Sequence, residues 1–148
     1  MFKHILVPTD GSRLSDKAVR EAIRLASTLD GRITGVFVTP QFRTLMYEGY
    51  VVPSPPAVEQ GYRRSAQERA AKVLGAIEKK AAAAGVKCTS VHVVSDIPYD
   101  AIIKAARKGK CDLIVMASHG RRGLQGLLLG SETTKVLTHS KIPVLVCR

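Results

Sequence analysis

The chain has 148 residues, 45% of them hydrophobic and 24% charged, with a formal net charge of +11. That length supports one domain, 1–148, with a real core. No apolar run is long enough to cross a bilayer, and the opening residues are too short and strand-like for a signal peptide, so a cytoplasmic protein without a membrane partner is expected. The basic residues fall mostly on polar faces of candidate helices, without interleaved aromatics, so no specific nucleic-acid partner is expected, although the charge favours anionic ligands at long range.

Phe2 to Thr9 is a non-alternating apolar run, read as a buried strand that stops at Pro8-Thr9-Asp10-Gly11. Ser12 or Ser15 caps the next helix, whose Ala18, Ala22, Leu25, Ala26 and Leu29 recur at helical spacing before Gly31. Arg32 to Thr39 is a second buried strand. Residues 40–61 break the pattern with four prolines and two glycines, and read as a long loop with a short helical turn around 44–47. A loop of that length either covers a ligand or merely crosses the sheet end. Ala57 to Ala84 is a long helix ended by Gly85, and Val86 to Ser95 a third strand containing His92. Pro98 opens a helix that Gly109 closes, Asp112 to Ser118 is the fourth strand, Ser131 to Ser140 the last helix, and Pro143 to Cys147 the fifth strand.

This β-α-β-α-β-α-β-α-β order predicts an α/β fold: a five-stranded parallel sheet with helices on both faces. Ligands of such sheets bind beyond the carboxyl ends of the strands, where the strand order reverses. If the order is 3-2-1-4-5, the ends of the first and fourth strands share one crevice. Pro8, Thr9 and Asp10 would then face Met116, Ala117, Ser118, His119 and Gly120. Beyond the fourth strand lies a Gly-studded loop that feeds a helix start. Glycine lets main-chain N–H groups approach an anion closely, and a helix start adds unpaired N–H groups and partial positive charge.

Three stretches resemble the universal stress protein family, and the likeness covers essentially the whole chain. They are Ile5-Leu-Val-Pro-Thr-Asp-Gly-Ser12, the strand Asp112-Leu-Ile-Val-Met116 with the loop Gly120 to Ser131, and Thr138-His-Ser-Lys-Ile-Pro-Val-Leu-Val146. The nucleotide-binding branch of that family carries G-x2-G-x9-G-[ST]. Gly120, nine residues, then Gly130-Ser131 match its later parts, while Ala117 stands at its first glycine. At Asp96-Ile-Pro98 many relatives have glycine before the proline.

The resemblance implies strand order 3-2-1-4-5 in an adenine nucleotide alpha-hydrolase-like, Rossmann-like fold. It also implies an ATP site at the order reversal, a homodimer paired through the last strand, and regulation of a partner protein under stress. By the same resemblance Asp10 accepts hydrogen bonds from ribose or the adenine edge; its plain alternative is a helix cap. Val38 matches a position whose backbone contacts adenine; alternatively it is a core valine. Gly120 and Gly130 offer N–H groups to phosphates, or simply form turns. Ser131 would cap its helix and bond a phosphate oxygen, and Glu132 and Thr133 would offer amides, with the Glu132 carboxylate turned away.

Arg121 and Arg122 either pair with terminal phosphates or have no specific role, and Gly123 and Gly126 lie outside the pattern as flexible loop positions. His119 lies beside the phosphate path with no carboxylate or nucleophile spaced to form a triad with it. His4, His92 and His139 are isolated and read as structural. Any Mg²⁺ would be held by ATP oxygens and water, since no metal-ligand cluster is present. No G-x-x-x-x-G-K-[ST] lysine is present, so fast hydrolysis is not expected and slow turnover stays open. A dimeric interaction protein without nucleotide is the remaining alternative. The scattered Cys88, Cys111 and Cys147 read as small buried hydrophobes. The short apolar strand at the end of the order has its own motive for pairing with a second copy, because an uncovered edge presents unpaired main-chain groups.

Overall fold

A computed structural model describes residues 1–121, 123 and 128–148. The apolar runs become five strands, β1 (His4–Pro8), β2 (Arg32–Thr39), β5 (Lys87–Val94), β6 (Leu113–Ala117) and β7 (Val144–Cys147). Of these, β1, β2 and β6 are buried nearly throughout, while β5 and β7, at the sheet edges, are partly exposed. They form one parallel sheet of order β5-β2-β1-β6-β7, which is the expected 3-2-1-4-5 once a small hairpin is set aside. The register is continuous: Ile5 lies opposite Ile33 on one side and Leu113 on the other.

Helix α1 (Arg13–Thr28) and helix α2 (Pro56–Ala83) cover one face. Ala18, Ala22 and Ala26 of α1 and Leu74 and Ile77 of α2 pack there against Ile5, Val7, Ile33 and Val115. Gly35 of β2 permits this approach, since a Cβ there would lie 3.1 Å from Ile77 Cδ1. Helix α3 (Pro98–Lys108) and helix α4 (Ser131–His139) cover the other face. There Ile102, Ala106 and Val136 meet Leu6, Val36, Ile114 and Met116. Each fully buried Leu, Ile or Val contributes about 1.5–3 kcal/mol relative to exposure.

Two local expectations are corrected. Residues 44–47 do not form a helical turn. They enter an antiparallel hairpin, β3 (Met46–Tyr47) and β4 (Tyr50–Val51), and α2 then begins at Pro56 within the expected loop. Glu48 and Gly49 have φ of 46° and 83°. Two successive positive φ values make the tight turn whose twist matches antiparallel strands, and Tyr and Val on its flanks favour extended backbone. The second correction concerns Ser131. Gly130 occupies the N-cap of α4 and Ser131 is its first helical residue, with no side-chain cap bond at that end.

Candidate functional site

The sheet turns back on itself between β1 and β6. From β1 the chain builds outward through β2 and β5, then crosses over to β6 and β7 on the other side. The two loops leaving β1 and β6 therefore diverge to opposite faces and leave a cleft between them. Strand β2 runs past β1: Pro8 lies opposite Val36, and Thr9 N–H donates to Val36 O at 2.9 Å, so Val38 and Thr39 rise beyond the end of β1.

The loop after β1 is locked by short polar side chains. Thr9 Oγ1 accepts from Gly11 N (3.1 Å) and lies 3.1 Å from Ser15 Oγ, while Asp10 Oδ1 accepts from Ser12 N (2.9 Å). Ser12 is the N-cap of α1 and its hydroxyl accepts from Ser15 N at 3.2 Å. Serial turns of this kind are what Thr, Asp and Ser side chains favour. Asp10 also reaches across the cleft, where Oδ2 accepts from Arg121 N at 2.7 Å. One carboxylate thus clasps the loops leaving β1 and β6. Burial pushes the Asp10 carboxyl upward, but hydrogen bonds from Ser12, Arg121 and Ser15 outweigh it and hold the group below the ordinary carboxylate range.

Close approach explains two glycines of the second loop. A Cβ on Gly120 would sit 2.4 Å from Asp10 Oδ2, and one on Gly123 would sit 2.2 Å from His119 Cδ2. Gly123 is therefore a packing position against the His119 ring, not a flexible spacer. Gly130 also differs from its expected role. Its N–H donates to Ser118 O at 2.6 Å, closing the loop on itself, and a Cβ there would lie 3.2 Å from His119 Cα. His119 Nδ1 lies 3.2 Å from Ser118 Oγ.

Helix α4 is pinned to the end of β6 by the buried Thr133, whose hydroxyl donates to Ala117 O at 3.0 Å. Its first main-chain hydrogen bond to the cap runs from Thr134 N to Gly130 O. The amides of Ser131, Glu132 and Thr133 precede it and have no acceptor within the helix. The Glu132 carboxylate turns away from the cleft, as expected: Oε2 accepts from Tyr99 N at 2.9 Å and Oε1 lies 3.2 Å from Lys135 Nζ. Ala117, in place of glycine, directs its methyl into the core under α1, so that Cβ does not lie over the strand end.

The fold therefore brings together Thr9, Asp10, Ala117, His119, Gly120, Arg121, Gly130, Ser131, Glu132 and Thr133. Arg121 also lies over the first loop: a Cβ on Gly11 would be 3.2 Å from its Nη2. Val38 flanks the cleft, part-buried among the residues under α3, and the Met116 side chain is buried there, so only its backbone is available. Arg122 and Gly126 lie outside the described residues. Sequence reasoning put Ser118 at the crevice but gave it no role; it is buried and its carbonyl receives Gly130 N–H. Sequence reasoning missed the Glu132 carboxylate as a cap for α3, which only the packing of two helices reveals.

Elsewhere, burial raises all three thiols, and Cys111, with the charge of Asp112 adding to burial, is pushed up to about 11. Among the described residues no three His, Cys, Asp or Glu side chains group to hold a metal ion, and no helix is long and apolar enough to cross a membrane.

The sequence model of the Universal stress protein family matches residues 1–148. Universal stress protein MJ0531 of Methanocaldococcus jannaschii is 33% identical over 150 residues, spanning 100% of this chain and 83% of that protein. The solved structure of MJ0577, from the same organism, superposes with a TM-score of 0.81 at 27% identity, covering 99% of this chain and 96% of that one. A universal stress protein solved in complex with cAMP superposes with a TM-score of 0.69 at 26% identity, covering 98% and 95%.

Proposed function

The chain belongs to the universal stress protein family, and we propose that it binds an adenine nucleotide, ATP foremost, in the cleft between the ends of β1 and β6. On this reading it is a cytoplasmic regulatory module of the stress response. The observation that carries the reading is the Asp10 clasp: an ionised carboxylate bonded to both loops, beside the open amide end of α4. The relative solved with cAMP adds support from a protein of the same fold.

The residues present fit such a ligand. Bound nucleotide supplies a polyanion and sugar hydroxyls. The amides of Ser131, Glu132 and Thr133, at the positive end of α4, receive phosphate oxygens. Arg121 adds a cation. Asp10 accepts from hydroxyl groups, since each carboxylate oxygen has room for a second hydrogen bond beside the main-chain one it holds. The backbone at Val38 and Thr39, standing past the end of β1, borders the base. Pro8, Met116 and Ala117 shape the floor, and Mg²⁺ travels with the phosphates and water. Because Asp10 holds Arg121 N–H, a ligand that draws on Asp10 shifts the second loop, and occupancy is thereby read on the surface offered to a partner. The sequence carries no Walker lysine, so on this reading the cleft binds nucleotide and turnover is at most slow.

A dimer formed through β7 belongs to the same reading, since β7 is one edge of the sheet and Leu145 is 45% exposed. A second reading, a dimeric scaffold without nucleotide, draws on Gly130, whose N–H is already committed to Ser118. Native mass spectrometry and calorimetric titration separate the two. The natively purified protein is expected to carry ATP or ADP, and Ser131→Asp to weaken ATP binding at least tenfold. A carboxylate in the first helical turn is favourable to the helix, so this variant keeps its melting temperature while repelling phosphate. Absence of any bound nucleotide, with no titration by ATP at millimolar concentration, would overturn the first reading.

A further inference from the structure

The hairpin β3–β4 is an apolar arm. Leu45, Met46, Tyr47, Tyr50, Val51 and Val52 are exposed by 71, 67, 68, 78, 62 and 39%. Its two strands pair with each other and, among the described residues, with no other strand; Val52 N–H donates to Leu45 O at 2.8 Å to extend the ladder. Among the described residues, its hydrogen-bond clamps lie at the base. Asp96 Oδ1 accepts from Gln41 N (3.1 Å), Tyr62 Oη donates to Pro40 O (2.8 Å), and the Phe42 and Tyr62 rings lie 5.6 Å apart. Helix α2 carries no buried residue before Ala66, so its first ten residues, roughly 15 Å of helix, add no buried side chain to the core.

A lone two-stranded hairpin is marginal in water, and a contiguous apolar patch of this size marks an interface. We propose that the arm is a self-association surface, packing against the arm of a second copy across a two-fold axis. Two observations select a second copy. The first is area: the pleat sets Leu45, Tyr47, Tyr50 and Val52 on one face of the hairpin and Met46 and Val51 on the other, and the four-residue face offers roughly 500 Å² on each copy, so a pair of arms buries about 1,000 Å², the lower bound of a specific interface. The second is charge. Of the 23 Lys and Arg in the chain, none falls within residues 44–62, which carry only Glu48 and Glu59. Two bodies of strongly positive charge repel, and the arm is the apolar surface that meets its copy without setting basic faces against each other. A two-fold contact of one patch with itself is the common way for identical chains to pair. This surface is separate from the β7 edge, and the proposal stands whether or not the cleft binds nucleotide.

Sedimentation equilibrium of the purified protein, compared with the triple variant Tyr47→Ser, Tyr50→Ser, Val51→Ser, tests it. The substituted side chains are all exposed, so the core is untouched. The variant is expected to raise the dissociation constant of one association step at least tenfold, with an unchanged circular dichroism spectrum. A photo-cross-linking residue at position 50 is expected to give a covalent dimer whose linked peptides both come from residues 44–62. A cross-linker at position 145 reports the β7 edge independently. Equal masses for the two proteins at every concentration, or arm cross-links that reach only another part of the chain or only a foreign protein, would overturn the proposal.

Discussion

Asp10 and Gly120 set each other's identity. The carboxylate lies 2.4 Å from where a Gly120 Cβ would be, and its oxygen takes the next amide, that of Arg121. Gly120→Ala therefore forces the carboxylate aside and breaks the clasp, at a cost of about 1–3 kcal/mol read in urea denaturation. Gly61→Ala is the control: nothing lies within 4 Å of its added Cβ, and it sits inside a helix, so it is expected to stabilise by about 0.5–1 kcal/mol. The clasp also has a pH signature. Asp10 has a lower pKa folded than unfolded, so its contribution is fully present above the unfolded value of about 4. It fades as pH falls through the lower native value. Asp10→Asn is expected to flatten that part of the acid limb of stability against pH, and a limb of unchanged slope would refute the assignment.

Between elements, α3 and α4 share one charge. The N-cap position of α3 is Ile97, which has no side-chain acceptor, and Glu132 from α4 supplies the acceptor to Tyr99 N–H instead. Losing a cap costs about 1 kcal/mol. Glu132→Ala should lower stability by that order and speed hydrogen exchange at the Tyr99 amide, while leaving amides of β1 protected. Exchange at Tyr99 no faster than in the parent protein would show that water caps this end equally well. The hairpin makes the complementary point: its turn is Glu48-Gly49, where glycine alone favours a positive φ, and the surrounding prolines and glycines read as loop.

For the whole molecule, the edge of the sheet is the exposed feature of the β7 side. Leu145→Lys places a charge on that edge, a change natural sheets use to prevent pairing. It is expected to halve the mass of any β7-linked dimer in sedimentation and to leave cross-linking from the arm unchanged. A dimer that survives the substitution intact would place the contact elsewhere. The balance of positive charge outside residues 44–62 gives both edges a reason to stay apart unless apolar area outweighs repulsion.

The five strands of the parallel sheet, the four helices and their alternation were legible in the chain, though the hairpin was not, because apolar periodicity and the Gly and Pro stops act over a few residues and need no partner. The motif residues Asp10, Gly120, Gly130 and Ser131 were legible as a set for the same reason: their spacing is a property of the chain alone. Only the tertiary structure decided which groups are already committed. Gly130 N–H goes to Ser118, Glu132 to α3, the Ala117 methyl to the core, and Asp10 to a loop more than a hundred residues away. Hydrogen bonds and close contacts between distant segments depend on how layers pack, and no local pattern encodes that distance.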